Sequence, residues 1–108
     1  ADPLLERVFS NLVDNSIRHG GHVTTIHIHY EIADTLFTLI YEDNGIGIPQ
    51  EEKGQLFERR AGNRTGIGLF LSAEILGITG MTIRECGKPG AGVRFEITVP
   101  DRKYRIRT

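Results

Sequence analysis

Tryptophan is absent from this 108-residue chain, and methionine and cysteine occur once each. The single cysteine, Cys86, closes no internal disulfide and has no thiol partner for a structural metal, so a reducing, cytoplasmic setting fits the composition. Charge of neither sign predominates, with 13 Lys+Arg against 14 Asp+Glu. That balance removes the general field that draws a protein to a phosphate backbone or an anionic membrane, so neither nucleic acid nor direct membrane contact is expected. No apolar run approaches the ~18 residues that span a bilayer, and Ala1-Asp2-Pro3 is not a charged-then-apolar signal. An initiator Met is missing too, and the chain reads as a fragment of a longer parent protein.

Glycine, by contrast, is plentiful, at 13 residues where the average usage of ~7% would give about eight. With 39% hydrophobic and 25% charged residues, the chain has the composition of one soluble globular domain. We expect a core over residues 1–100 and a solvated basic tail over 101–108.

Asp2-Pro3 reads as an N-cap followed by proline at the first helical position. From there Leu5, Val8, Phe9, Leu12, Val13, Ser16 and Ile17 recur at the helical period until Gly20-Gly21 stops the helix. Residues 24–32 and 36–42 are rich in β-branched and aromatic residues and predict a hairpin. A glycine-rich loop follows, then a short helix after Pro49 and a polar loop over 58–65. A third helix is expected from Gly66 to about Gly77, on the spacing of Ile67, Leu71 and Ile75 with Leu69 and Leu76 alongside, and a second hairpin from 81–85 and 93–99. This order predicts an α/β (α+β) two-layer sandwich, with helices on one face of a mixed, mostly antiparallel sheet.

On the first helix Asn11, Asn15 and Arg18 fall within about 60° of arc and form a polar seam beside the apolar stripe. At the margin of a core, unpaired carboxamides are costly. Either neighbouring loops bond them, or an Asn oxygen serves as a hard neutral ligand for Mg²⁺ with a cation nearby for phosphate. In Asp43-x-Gly45-x-Gly47 an acid ends a strand and the next two alternate positions carry no side chain. This is either a plain Asp-Asn-Gly turn or a slot where a flat ligand meets a carboxylate that selects a donor such as an adenine amino group. Gly66-Ile67-Gly68 at a helix start is either packing or an anion site. His27 and His29 share a strand face without a thiol or acid at ligand spacing, so a metal site there is not favoured.

Taken in order, Asn11-Leu12-Val13-Asp14-Asn15-Ser16-Ile17-Arg18-His19, Asp43-Asn44-Gly45-Ile46-Gly47-Ile48-Pro49, Leu56-Phe57-Glu58 and Thr65-Gly66-Ile67-Gly68-Leu69 resemble the four boxes of a known family. That family is the catalytic ATP-binding domain of sensor histidine kinases, which shares its nucleotide site with gyrase-type and chaperone-type ATPases. The resemblance implies Mg²⁺–ATP as ligand. It implies that Asn15 coordinates the metal, Asn11 orients metal and triphosphate, and Arg18 contacts phosphate. His19 would lie against the base, Asp43 would accept from the adenine amino group, and Gly45 and Gly47 would shape that pocket. Phe57 would anchor the lid, and Arg64, Thr65, Gly66 and Gly68 would line the phosphate side.

Three departures from the family pattern stand out: Arg64 occupies the place of a usual glycine, the lid is short, and the strands ahead of the first helix are absent. No phosphoacceptor histidine motif is present, so the acceptor is expected on a separate dimerisation domain of the parent, with a response regulator downstream. The alternative is a nucleotide-sensing module that binds ATP or ADP without phosphotransfer.

Overall fold

The computed structural model describes residues 3–33, 36–58 and 68–99. The first helix, α1, runs Pro3–His19 and ends where Gly20 donates its N–H back to the Ser16 carbonyl, 2.9 Å away. The strands β1 (Ile26–Ala33) and β2 (Leu36–Asp43) pair in register from Ile26 against Asp43 to Ala33 against Leu36. A 3₁₀ helix, Gln50–Gln55, follows the glycine-rich loop, and then come α2 (Gly68–Ile78), β3 (Thr82–Glu85) and β4 (Arg94–Val99). Strand order is β1-β2-β4-β3, and every pairing among the described residues is antiparallel, in keeping with the mostly antiparallel sheet expected.

Strand alternation separates two faces of the sheet. One carries Tyr41, Phe95 and Ile97, which are buried with Val8 and Leu12 of α1 and Leu69 and Leu76 of α2. The other carries charge, with Arg94 Nη1 2.9 Å from Glu42 Oε2, Arg94 Nε 3.0 Å from Glu96 Oε2 and Arg84 Nη2 2.7 Å from Glu96 Oε1. The arginine pair holds the Glu96 carboxyl down at about 2, Arg84 first, against the opposing push of burial. Helices therefore cover one face only, the two-layer packing that the element order implied.

Two helix faces differ from the expected stripes. Ile17 is 70% exposed, because the last turn of α1 rotates Asn15 and Ser16 inward instead. In α2 Leu69 and Leu76 are buried and Ile75 packs against the core as read from the sequence, but Ser72 is buried with them and Leu71 is exposed. This helix is apolar nearly all round, so its sequence alone cannot say which side is covered.

The connection between β3 and β4 folds back on the end of β2. Asp43 donates its N–H to the Val93 carbonyl at 3.2 Å, and Gly90 donates to Ile46 O at 2.7 Å. Gly92 sits at φ +102°, with the place of a Cβ only 2.0 Å from Asp43 O, so this crossing requires glycine. The polar loop at 59–65, Gly66, Ile67 and the tail at 101–108 lie outside the described residues.

Candidate functional site

The C-terminal turn of α1, the end of β2 and the loop after it converge on a narrow cleft. Asn15, His19, Gly20, Asp43, Gly47, Ile48 and Val93 line it. Close packing sets its shape. Ile46 N–H donates to Gly20 O at 2.9 Å, and a Cβ on Gly45 would stand 2.3 Å from that same oxygen, so only glycine lets the loop lie against the helix end. Asn44 organises the turn from the other side. Its Oδ1 accepts from the Thr24 and Thr25 N–H groups at 3.0 and 3.1 Å, and its Nδ2 donates to Thr24 Oγ1 at 2.8 Å. Asn44 thus pins the loop to the residues just before β1, while the Asx turn itself is made by Asp43, whose Oδ1 accepts from Gly45 N–H.

Asp43, 7% exposed, is held by three donors: Gly45 N–H at 2.9 Å and Val93 N–H at 3.1 Å on Oδ1, and the Ser16 hydroxyl at 2.6 Å on Oδ2. An ionised carboxylate has about four acceptor positions, so one on Oδ2 is left for whatever enters the cleft. Ser16 Oγ also lies 2.7 Å from Tyr41 Oη, whose hydroxyl reaches Leu12 O at 3.1 Å. Burial pushes the Tyr41 phenol above its ordinary value, the Ser16 bond opposes this and the Asp43 charge adds to it. The phenol therefore stays neutral and the three side chains form one fixed hydrogen-bonded chain. Sequence reasoning placed Ser16 in the apolar stripe and missed this role; the signal was a hydroxyl next to Asn15 on the face turned toward the core.

The two asparagines part company. Asn11 donates through Nδ2 to Gly68 O and to Ser72 Oγ, both at 3.2 Å, and ties α1 to the start of α2. Asn15 is 7% exposed and its Oδ1 has no hydrogen-bond partner among the described residues. A buried acceptor without a donor is costly, and a neutral carboxamide oxygen is the ligand type that Mg²⁺ takes. That single oxygen is of a type that fits the ion.

The remaining expected residues divide by position. His19 lines the cleft. Phe57 is half-buried with its ring edge-on to Phe95 at 6.2 Å, so the segment after the 3₁₀ helix is anchored in the core. Gly68 begins α2 beside Asn11, yet a Cβ there would make only ordinary contacts at 4.0 Å, so packing does not explain its lack of a side chain. Arg18 is not brought to the cleft; its Nε pairs with Asp14 Oδ1 at 3.0 Å on the exposed surface. Arg64, Thr65 and Gly66 lie outside the described residues. Among the described residues no group of three His, Cys, Asp or Glu could hold a metal, and no helix is long and apolar enough to cross a membrane.

Residues 1–103 match the family model described as histidine kinase-, DNA gyrase B- and HSP90-like ATPase. The chain belongs to that family. Within it the relatives are sensor kinases. The alginate biosynthesis sensor protein KinB of Pseudomonas aeruginosa is 35% identical over 102 residues, which cover 89% of this chain and 17% of KinB. The sensor protein KdpD of Escherichia coli K12 is 31% identical over 107 residues, covering 93% of this chain and 12% of KdpD. The chain thus spans under a fifth of these relatives. Among solved structures, the Acinetobacter baumannii histidine kinase AdeS superposes with a TM-score of 0.72 at 30% identity, over 90% of this chain and 45% of AdeS. The catalytic domain of histidine kinase ThkA gives 0.74 at 28% identity, over 91% and 65%. The expected two-layer sandwich is accordingly that of a histidine-kinase-type ATPase domain.

Proposed function

We propose that this domain binds Mg²⁺–ATP in the cleft between α1 and the loop after β2, and donates the γ-phosphoryl group to a histidine on a separate dimerisation domain of its parent. The observation that carries this reading is one cleft with two unspent acceptors. The free position on Asp43 Oδ2 suits the exocyclic amino group of adenine, whereas guanine would set a carbonyl against it and be refused. The orphaned Asn15 Oδ1 suits the metal. Bound there, Mg²⁺ would supply charge neutralisation for the triphosphate.

The chain's own residues position and select. Ser16, Gly45 and Val93 hold Asp43 so that it meets the base without rearrangement, and His19 offers a ring at the cleft wall. Asn11 would act through α2, by fixing the helix start at Gly68 that faces the phosphates. Arg18 is held by an exposed i,i+4 pair with Asp14 worth about 0.3–0.5 kcal/mol and would have to leave it to contact phosphate. Arg64, Thr65, Gly66 and Gly68 complete the phosphate side in this reading, and Phe57 anchors the segment leading to it.

Transfer forms a phosphorus–nitrogen bond to the acceptor imidazole and breaks the bond to the β-phosphate oxygen, releasing ADP. Since the transition state is loose and anionic, positioning and charge account for most of the catalysis. A response regulator would then take the phosphoryl group from the histidine.

Calorimetry with Mg²⁺–ATP and Mg²⁺–GTP, followed by mixing with the histidine-bearing domain and labelled ATP, tests this. Heat with ATP alone and label on histidine are expected. No heat from folded protein overturns the reading, and tight binding without transfer replaces it with the nucleotide-sensing alternative.

A further inference from the structure

Between the 3₁₀ helix and the β3–β4 connection lies an ion pair that the nucleotide reading leaves unused. Lys53 Nζ stands 2.6 Å from Glu85 Oε1, with the two side chains only 15% and 1% exposed. The same ammonium donates to Gly87 O. Glu85 Oε2 accepts from Gly87 N–H at 3.0 Å and from Arg94 N–H at 3.1 Å. Among the described residues, Oε1 has no hydrogen-bond donor besides that ammonium. Removing two charges from water is expensive, and a buried pair is weak evidence for stability. Its use is better sought in what it positions.

Glu85 fixes the Gly87 end of the connection, and that connection forms one wall of the cleft through Val93 and meets the glycine loop at Gly90 N–H to Ile46 O, 2.7 Å. Lys53 stands on the segment that continues the glycine loop past Pro49. The pair thus joins the two backbone segments that face each other across Gly47, whose Cβ position lies 3.0 Å from Gly92 O and 3.1 Å from Lys88 O. We propose that Lys53 and Glu85 are positioning residues for the base end of the site, a charged clasp that sets the spacing between residues 43–49 and 87–93. Neither touches the nucleotide. The inference rests on the nucleotide reading for its functional part and on geometry alone for its structural part.

The paired variant Lys53→Met/Glu85→Gln tests it. Neither charge is left buried and alone, and the glutamine carbonyl still serves the Gly87 and Arg94 N–H groups, so the fold is expected to survive. In nucleotide-free amide spectra the resonances of Gly45, Gly47, Gly90 and Gly92 should shift, while those of β3 residues away from the clasp stay put. Affinity for adenosine and for Mg²⁺–ATP should then fall by the same factor, about tenfold, since the defect is at the base. Lys53→Arg, which keeps the charge, should stay within about threefold of wild type and distinguishes a lost clasp from a damaged core. Unshifted glycine amides, or wild-type affinity in the paired variant, overturn the clasp. Wild-type protein that binds no nucleotide overturns the functional reading instead, and this is seen before any variant is made.

Discussion

The two ends of the cleft are built on opposite terms. At the proposed base end, Asp43 is buried, held by three donors and set in line with Ser16 and Tyr41, so a ligand there would meet a finished socket. At the proposed metal end, Asn15 is equally buried and its oxygen has no donor among the described residues. The same helix turn supplies both arrangements through adjacent residues, Asn15 and Ser16. One end is preorganised and should discriminate. The other holds an unmet acceptor whose cost a bound cation would relieve, so in the proposed reading affinity and metal dependence should be separable.

Asn15→Ala should show the largest effect. Phosphoryl transfer should fall on the order of 100-fold or more, by analogy with losing one charge-stabilising group from a catalytic site, while metal-free binding of the base changes little. Equal loss of both would erase the distinction between the ends. Asp43→Ala should weaken ATP by about 1.5–3 kcal/mol, the contribution of a charge-assisted hydrogen bond, and should weaken adenosine as much; titration calorimetry with both ligands reads it. Unchanged affinity would remove the base end altogether.

Ser16→Ala sharpens the contrast at smaller scale. It deletes the 2.6 Å bond that fixes Asp43 Oδ2, and a loss of about 1 kcal/mol for base-containing ligands is expected. The metal requirement should stay as it was. Glu96→Gln should be the mildest and lies on the opposite face of the sheet. Because the fold lowers the Glu96 carboxyl from an ordinary 4.5 to about 2, its stabilising contribution is complete above the ordinary value and is lost as pH falls from there through about 2. Melting temperatures of wild type and variant should therefore differ near neutrality and converge in acid, with ATP affinity untouched.

Much of this was legible in the residues. The bounds of α1 followed from Pro3 and Gly20, and β1 and β2 from their β-branched runs, because local propensity and tertiary packing agree there. The seam on α1 was legible as polar, but not which asparagine the fold satisfies. That depends on Ser72 and Gly68, 61 and 57 residues away in sequence from Asn11. The covered side of α2 was hidden because apolar residues surround the helix. Ser16 looked like a small core residue since its partners, Tyr41 and Asp43, lie on a strand whose register no local signal reports. Arg18 was grouped with the site by helical angle alone, and a surface acid one turn back has taken it.

The crossing at Gly92 gives the domain a point of genetic fragility. Any replacement there would drive a Cβ into the carbonyl of Asp43, the residue proposed to read the base, prising β2 from β4 while leaving the proposed ligand-touching side chains unaltered. A missense allele at this codon would look, in a screen, like damage to a nucleotide contact. Its true lesion would be a displaced backbone.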